Sequence, residues 1–170
     1  MNTIKLMLSA TALTSVMASA VAAETTFRYG FQGSLGSLDP YSLSETFTLG
    51  TLTNVYEGLT RRDGNLQIQP GLAESWEIIE PTRCRFNLRP GVKFHNGNDF
   101  TAAAVVFSAN RVLSEGSDLK ARISTDAEFI AVDDHTVDFV LSSANSILPS
   151  EWHTLMLGDE ACTVRTDHVR

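Results

Sequence analysis

Two cysteines, four histidines and two tryptophans are all that this chain of 170 residues holds of those types. Each scarcity excludes something. The histidines and cysteines stand at positions 84, 95, 135, 153, 162 and 168. No two of them make the C-x-x-C, H-x-x-x-H or H-E-x-x-H spacing of a metal centre, so no metal site and no cofactor are expected. There is no G-x-S-x-G turn to expose a nucleophilic serine. The glycines of "GSLGS" do not complete G-x-G-x-x-G, and no phosphate-loop lysine follows them, so a nucleotide fold has no support. Basic residues are outnumbered, 13 against 20 acidic, for a net charge of −7. A nucleic-acid partner is not expected, because phosphate binding needs a basic patch.

What is present begins with apolar residues, 43% of the chain, enough to expect a packed core. Residues 1–23, "MNTIKLMLSATALTSVMASAVAA", carry one early lysine and an apolar stretch diluted by Ser and Thr. They end in Val21-Ala22-Ala23, small residues of the kind a signal peptidase reads. The expectation is a secretory signal peptide, with the mature chain at 24–170 and a periplasmic location. Export permits one disulfide between Cys84 and Cys162. In "RCRFNLR", however, Cys84 alternates with arginines beside Phe86 and Leu88. A small buried thiol on the inner face of a half-buried strand is the preferred reading.

The remaining pattern mixes strands and helices. "TTFRYGF" reads as a first strand and "QGSLGSLDP" as a loop. Residues 42–58 read as a helix capped by Ser44, with Phe47, Leu49, Leu52, Val55, Tyr56 and Leu59 at helical spacing and Gly58 at its stop. "RRDGNLQIQPG" is a turn with a short extended piece before Pro70. "AESWEIIEPTRCRFNLRPG" predicts two strands about a turn near Pro81. "ISTDAEFIAVDDHTVDFVLSS" predicts a second hairpin at Asp133-Asp134, with Val137, Phe139 and Leu141 facing one way and Thr136 and Asp138 the other. "ILPSEWHTLML" predicts a short helix near Pro149. The order β-α-β-β-α-β-β-α mixes hairpins with helices and suggests an α/β or mixed α+β fold class rather than a pure parallel sheet.

The densest stretch is "GVKFHNGNDFTAAAVVFSANRVL", residues 91–113. Gly97 suits a positive φ, Asn96 and Asn98 suit the same turn, and Thr101 stands where a helix N-cap belongs. Ala102, Val105, Val106, Ala109, Val112 and Leu113 then share one helix face. Lys93 and His95 lie on the strand entering the turn without a catalytic partner, so their expected role is structural.

Taken in order, "SLDP", "VYEGLTRRDGN", "QPGLAESWEI", "RFNLRPGVKFHNGNDFTAAAVVFSANR" and "VDDHTVDFVLSS" resemble the peptide/nickel-type (family 5) solute-binding proteins of bacterial ABC importers. The resemblance runs from about Phe27 to Leu157. It implies the N-terminal part of a two-lobed periplasmic-binding-protein fold, with the second lobe absent from this chain. It implies a small peptide as solute, ABC permease subunits in the inner membrane as partners, and no catalysis. It also implies that the loop ahead of "LDP", here Gly33, Ser34, Leu35, Gly36 and Ser37, touches the solute. Glycine lets backbone approach a ligand, and free amides and carbonyls can pair with an extended peptide. Two departures stand out: Ala103 and Ala104 where the family places an acidic residue after "TA", and Cys84 where an aromatic residue is usual. The rival readings are an exported hydrolase with a site among the scattered Ser, His and acidic residues, and a structural remnant that binds nothing.

Overall fold

A computed structural model describes residues 26, 28, 30, 32–42, 44–123, 126–153 and 155–161. Residues 1–23 (the expected signal peptide), the aromatic residues of the first expected strand, Cys162 and the tail after it lie outside these residues. The chain divides into two compact units, 1–32 and 33–170, and the second holds every element described below.

A short helix α1 (Thr46–Leu52) is followed by a small hairpin of β1 (Thr60–Arg62) and β2 (Ile68–Pro70). A four-stranded antiparallel sheet comes next, with β3 (Ala73–Glu80), β4 (Arg83–Leu88), β5 (Glu128–Asp133) and β6 (Thr136–Val140) in the order β3-β4-β6-β5. Helix α2 (Ala102–Leu113), a 3-10 turn at Lys120–Arg122 and a single α-helical turn, α3 (Leu148–Glu151), complete the unit. Both expected hairpins form, turning at Pro81-Thr82 and at Asp134-His135. The Asp133 carboxylate accepts the His135 amide at 2.8 Å, which lowers the carboxyl pKa and fixes the turn.

Alternation decides what the sheet buries. Cys84, Phe86 and Leu88 on β4, and Val137 and Phe139 on β6, point to one face and are buried. Buried Ala102, Ala104, Val105, Ala109 and Val112 of α2 join the same core cluster. Across the register, Phe86 lies opposite Val137 and Cys84 opposite Phe139. The centre is aromatic: Phe139 stands 5.0 Å from Phe86, 4.9 Å from Phe129 and 4.4 Å from Trp152 between ring centroids. Burial pushes the Cys84 thiol up to about 11, and it has no disulfide partner among the described residues. A buried thiol of that kind packs as a small hydrophobe and is chemically inert.

Three local expectations are corrected. Helix α1 spans Thr46–Leu52, not residues 42–58, with Glu45 rather than Ser44 at its N-cap. Thr53 Oγ1 donates to the Gly50 carbonyl at 2.7 Å and Asn54 Nδ2 to the Thr51 carbonyl at 3.0 Å. Such side-chain bonds compete with helix continuation, and Gly50 inside the helix weakens it further. Gly58 does not cap this helix: it bridges to Met156, and a Cβ there would lie 2.5 Å from the Trp152 carbonyl oxygen. Its purpose is close backbone approach.

Thr101 is the N-cap of α2, but its side chain makes no capping bond. The Asp134 carbonyl takes the Ala102 amide instead, at 2.9 Å. A helix start needs acceptors for its free amides, and the β5–β6 turn supplies one from outside the helix.

Asp138 does face away from Phe139, yet it is only 3% exposed. Arg85, its cross-strand neighbour, covers it with two parallel bonds, Nε to Oδ1 at 2.7 Å and an Nη to Oδ2 at 2.8 Å. Period-two alternation names the face of a strand residue and says nothing about what lies over that face.

Candidate functional site

The polar groups gather around one cavity of about 580 Å³. Its walls come from well-separated pieces of chain: residues 39–41 and 55–57, Leu72, residues 92–96 with Phe100, Phe107 and Arg111 of α2, and residues 157–159.

The first wall is held by a chain of bonds that starts at Asp39. This residue is 6% exposed. Its backbone amide donates to Ser37 Oγ at 3.0 Å, and its Oδ1 accepts the Tyr41 amide at 3.0 Å. Its Oδ2 receives an Arg111 guanidinium N–H at 2.7 Å. The same guanidinium lies 5.7 Å above the Tyr41 ring. The Tyr41 hydroxyl donates to the Met156 carbonyl at 2.8 Å, and burial pushes its pKa up to about 12. Loop, helix and C-terminal segment are thereby locked to one another through Tyr41 and Arg111. Ser108 adds a second lock, accepting the Gly158 amide at 3.0 Å.

The second wall is the turn that dominates the sequence. Gly97 has φ of 91°, a conformation only glycine adopts freely. Asn98 donates its amide to Asn96 Oδ1 at 3.1 Å, and Phe94 and Phe100 accept or donate across the turn at 2.9 Å. Lys93 bridges Asp99 by a single isolated pair and a surface ion pair, not as part of a strand. The two asparagines do more than shape the turn. Asn96 Nδ2 and Asn98 Nδ2 donate to the same oxygen of Asp159, at 2.6 and 2.7 Å. With the Ala161 amide on the other oxygen at 3.0 Å, these bonds hold the Asp159 carboxyl below its usual range, Asn96 contributing most.

His95 and Lys93 line the cavity, and His95 is exposed. His95→Gln is therefore expected to change folding stability by less than about 0.5 kcal/mol, as exposed substitutions do. Asn96→Ala is expected to cost about 1.5 kcal/mol, the lower range for a hydrogen bond to a charged group. Urea denaturation of the two variants side by side checks the contrast, and equal losses would show that the Asn96–Asp159 bond contributes nothing.

The loop residues that the resemblance points to stand apart from the cavity lining. Gly33, Ser34, Leu35 and Gly36 are exposed and Ser37 is half-buried. A Cβ on Gly33 would sit 3.1 Å from the Phe47 ring. Ser37 is the link, since its hydroxyl joins the loop to Asp39 and so to Arg111. The Asp39–Arg111 and Asn96–Asp159 pairings were not readable from the chain, because their partners are 72 and 63 residues apart. The only prior signal was that Asp39 and Arg111 both fall within the motifs of the resemblance. Among the described residues no group of three His, Cys, Asp or Glu side chains could hold a metal ion.

This architecture has relatives. A probable deoxycholate-binding periplasmic protein of Escherichia coli K12, YgiS, is 29% identical over 157 residues, covering 81% of this chain and 28% of its own length. A glutathione-binding protein of Escherichia coli O6:K15:H31, GsiB, is 31% identical over 108 residues, covering 63% of this chain and 21% of its own. Among solved structures, the ABC transporter substrate-binding protein CtaP of Listeria monocytogenes superposes with a TM-score of 0.70 at 25% identity, over 82% of this chain and 29% of CtaP. The chain thus spans less than a third of the length of each of these proteins. The family model described as "Bacterial extracellular solute-binding proteins, family 5 Middle" matches residues 67–159, from the β1–β2 hairpin to Asp159 in the cavity lining. That match takes in more than half of the residues, and the chain belongs to the bacterial extracellular solute-binding proteins of family 5.

Proposed function

We propose that this chain works as part of the extracytoplasmic solute-binding component of an ABC importer, with small peptides as solute and no catalysis of its own. Family membership over residues 67–159 carries the reading. In it, residues 1–23 direct export to the periplasm, and residues 24–170 form the N-terminal part of a two-lobed receptor. The second lobe lies outside this chain, and the loaded receptor hands its solute to permease subunits in the inner membrane. Gly33, Ser34, Leu35, Gly36 and Ser37 supply backbone amides and carbonyls to the peptide, as an added strand would be paired. Support for a peptide comes from the glutathione-binding relative, whose ligand is a tripeptide.

The expected strength follows from the energies of hydrogen bonding and association. A few backbone hydrogen bonds bring roughly 0.5–1.5 kcal/mol each. Association costs at least about 4 kcal/mol in lost freedom. The loop at residues 33–37 alone is therefore left with weak affinity. Calorimetric titration with a library of short peptides is expected to give no one-to-one binding tighter than roughly 100 µM. Peptides recovered from the mixture are expected to be intact by mass spectrometry. Cleaved peptides would replace the receptor reading with the hydrolase one.

A further inference from the structure

We infer that the 580 Å³ cavity is itself a binding site for an organic cation, an ammonium group carried on an aromatic body. This inference does not rest on the import reading. The cavity falls within the roughly 300–1,000 Å³ typical of small-molecule sites. Two observations select its occupant.

The first is the lining. Tyr41, Tyr56, Phe94, Phe100 and Phe107 all contribute to the walls. The face of an aromatic ring attracts a cation through its quadrupole. One such contact already exists, with the Arg111 guanidinium 5.7 Å over the Tyr41 ring.

The second is the charge balance. Both strongly basic lining residues are already neutralised: Arg111 by Asp39 at 2.7 Å, and Lys93 by Asp99. Two lining acids, Glu57 and Asp159, have no cationic partner among the described residues. Asp159 is buried, and its carboxylate accepts only neutral donors, from Asn96, Asn98 and the Ala161 amide. A mixed cavity with aromatic walls and two uncompensated carboxylates is complementary to a cation and repels an anion. The net charge of −7 adds to that bias at long range.

The test uses the whole chain and three probes of one shape: phenethylammonium, neutral 2-phenylethanol and anionic 3-phenylpropionate. Binding is followed at pH 8 through backbone amide shifts. Phenethylammonium is expected to saturate one site, moving the amides of Glu57 and Val92–Asn96. The neutral probe is expected to bind at least about fivefold more weakly and the anion more weakly still, the scale of one partly exposed charge interaction. Glu57→Gln is expected to weaken phenethylammonium about threefold and leave 2-phenylethanol unchanged. Val55→Trp, at an exposed position of the lining, is expected to block both. Both positions are exposed, so both variants keep the fold. Absence of saturable binding, equal affinity for the neutral probe, or indifference to Glu57→Gln would each overturn the inference. Absence of binding would mean instead that protein, another segment or a second copy, fills the cavity. None of these results depends on whether a peptide touches residues 33–37.

Discussion

A Phe139→Ala variant is expected to lose about 3–5 kcal/mol of folding stability, the range for removing a large aromatic side chain from a core. Phe139 has no exposed surface. It is the ring on which the others converge, in contact with Phe86, Phe129 and Trp152 from β4, β5 and the end of α3. The void cannot collapse easily, because the rings around it, Phe86 and Trp152, are themselves fully buried. Domains of this size are stable by only about 5–15 kcal/mol, so the variant sits near the edge of folding. Urea denaturation should show the midpoint falling at unchanged slope. A loss below about 1 kcal/mol would mean that the aromatic centre is not close-packed.

Arg85→Ala is expected to cost about 3 kcal/mol at neutral pH. Removing one partner of a buried pair leaves the other charge uncompensated, which typically costs about 3–5 kcal/mol. The lower end applies, because the Arg85 side chain keeps 31% exposure while that of Asp138 keeps 4%. The bonds from Arg85 are the largest cause holding the Asp138 carboxyl below the usual carboxylate range. A carboxyl whose pKa is depressed by folding stabilises the protein fully above its unfolded value, about 3.9, and loses that contribution as pH falls through the folded value. The gap between parent and variant should therefore be constant above about pH 5 and shrink below about pH 4. A gap that persists undiminished in acid would assign the loss to packing of the arginine stem instead.

The residues that made the fold legible were those with a period. Cys84, Phe86 and Leu88 announced β4, and the apolar face from Ala102 to Leu113 announced α2, because burial on one side imposes a rhythm on the chain. The same rhythm misled at α1. Phe47 to Leu59 keeps helical spacing, but local bonds from Thr53 and Asn54 end the helix at Leu52. Rhythm was also silent about Asp138, whose burial depends on Arg85 across the sheet. The site was less legible than the fold for the same reason. Asn96 and Asn98 were readable as turn formers, which they are, and their grip on Asp159 belongs to the tertiary structure alone. Asp39 read as the end of a loop, while its ion pair with Arg111 makes it the anchor of that loop. Motifs in register carried the family, and no physical period in the chain would have done so.

In the proposed function, the loop at residues 33–37 offers its backbone groups to the solute. The most direct measurement is a backbone amide titration of the isotopically labelled chain with trialanine and with its N-acetylated amide. Weak, saturable shifts are expected at Ser34, Leu35, Gly36 and Ser37, with the amides of β4 and β6 unmoved. Absence of shifts at those four residues at about 10 mM peptide, or shifts confined to another surface, would contradict it.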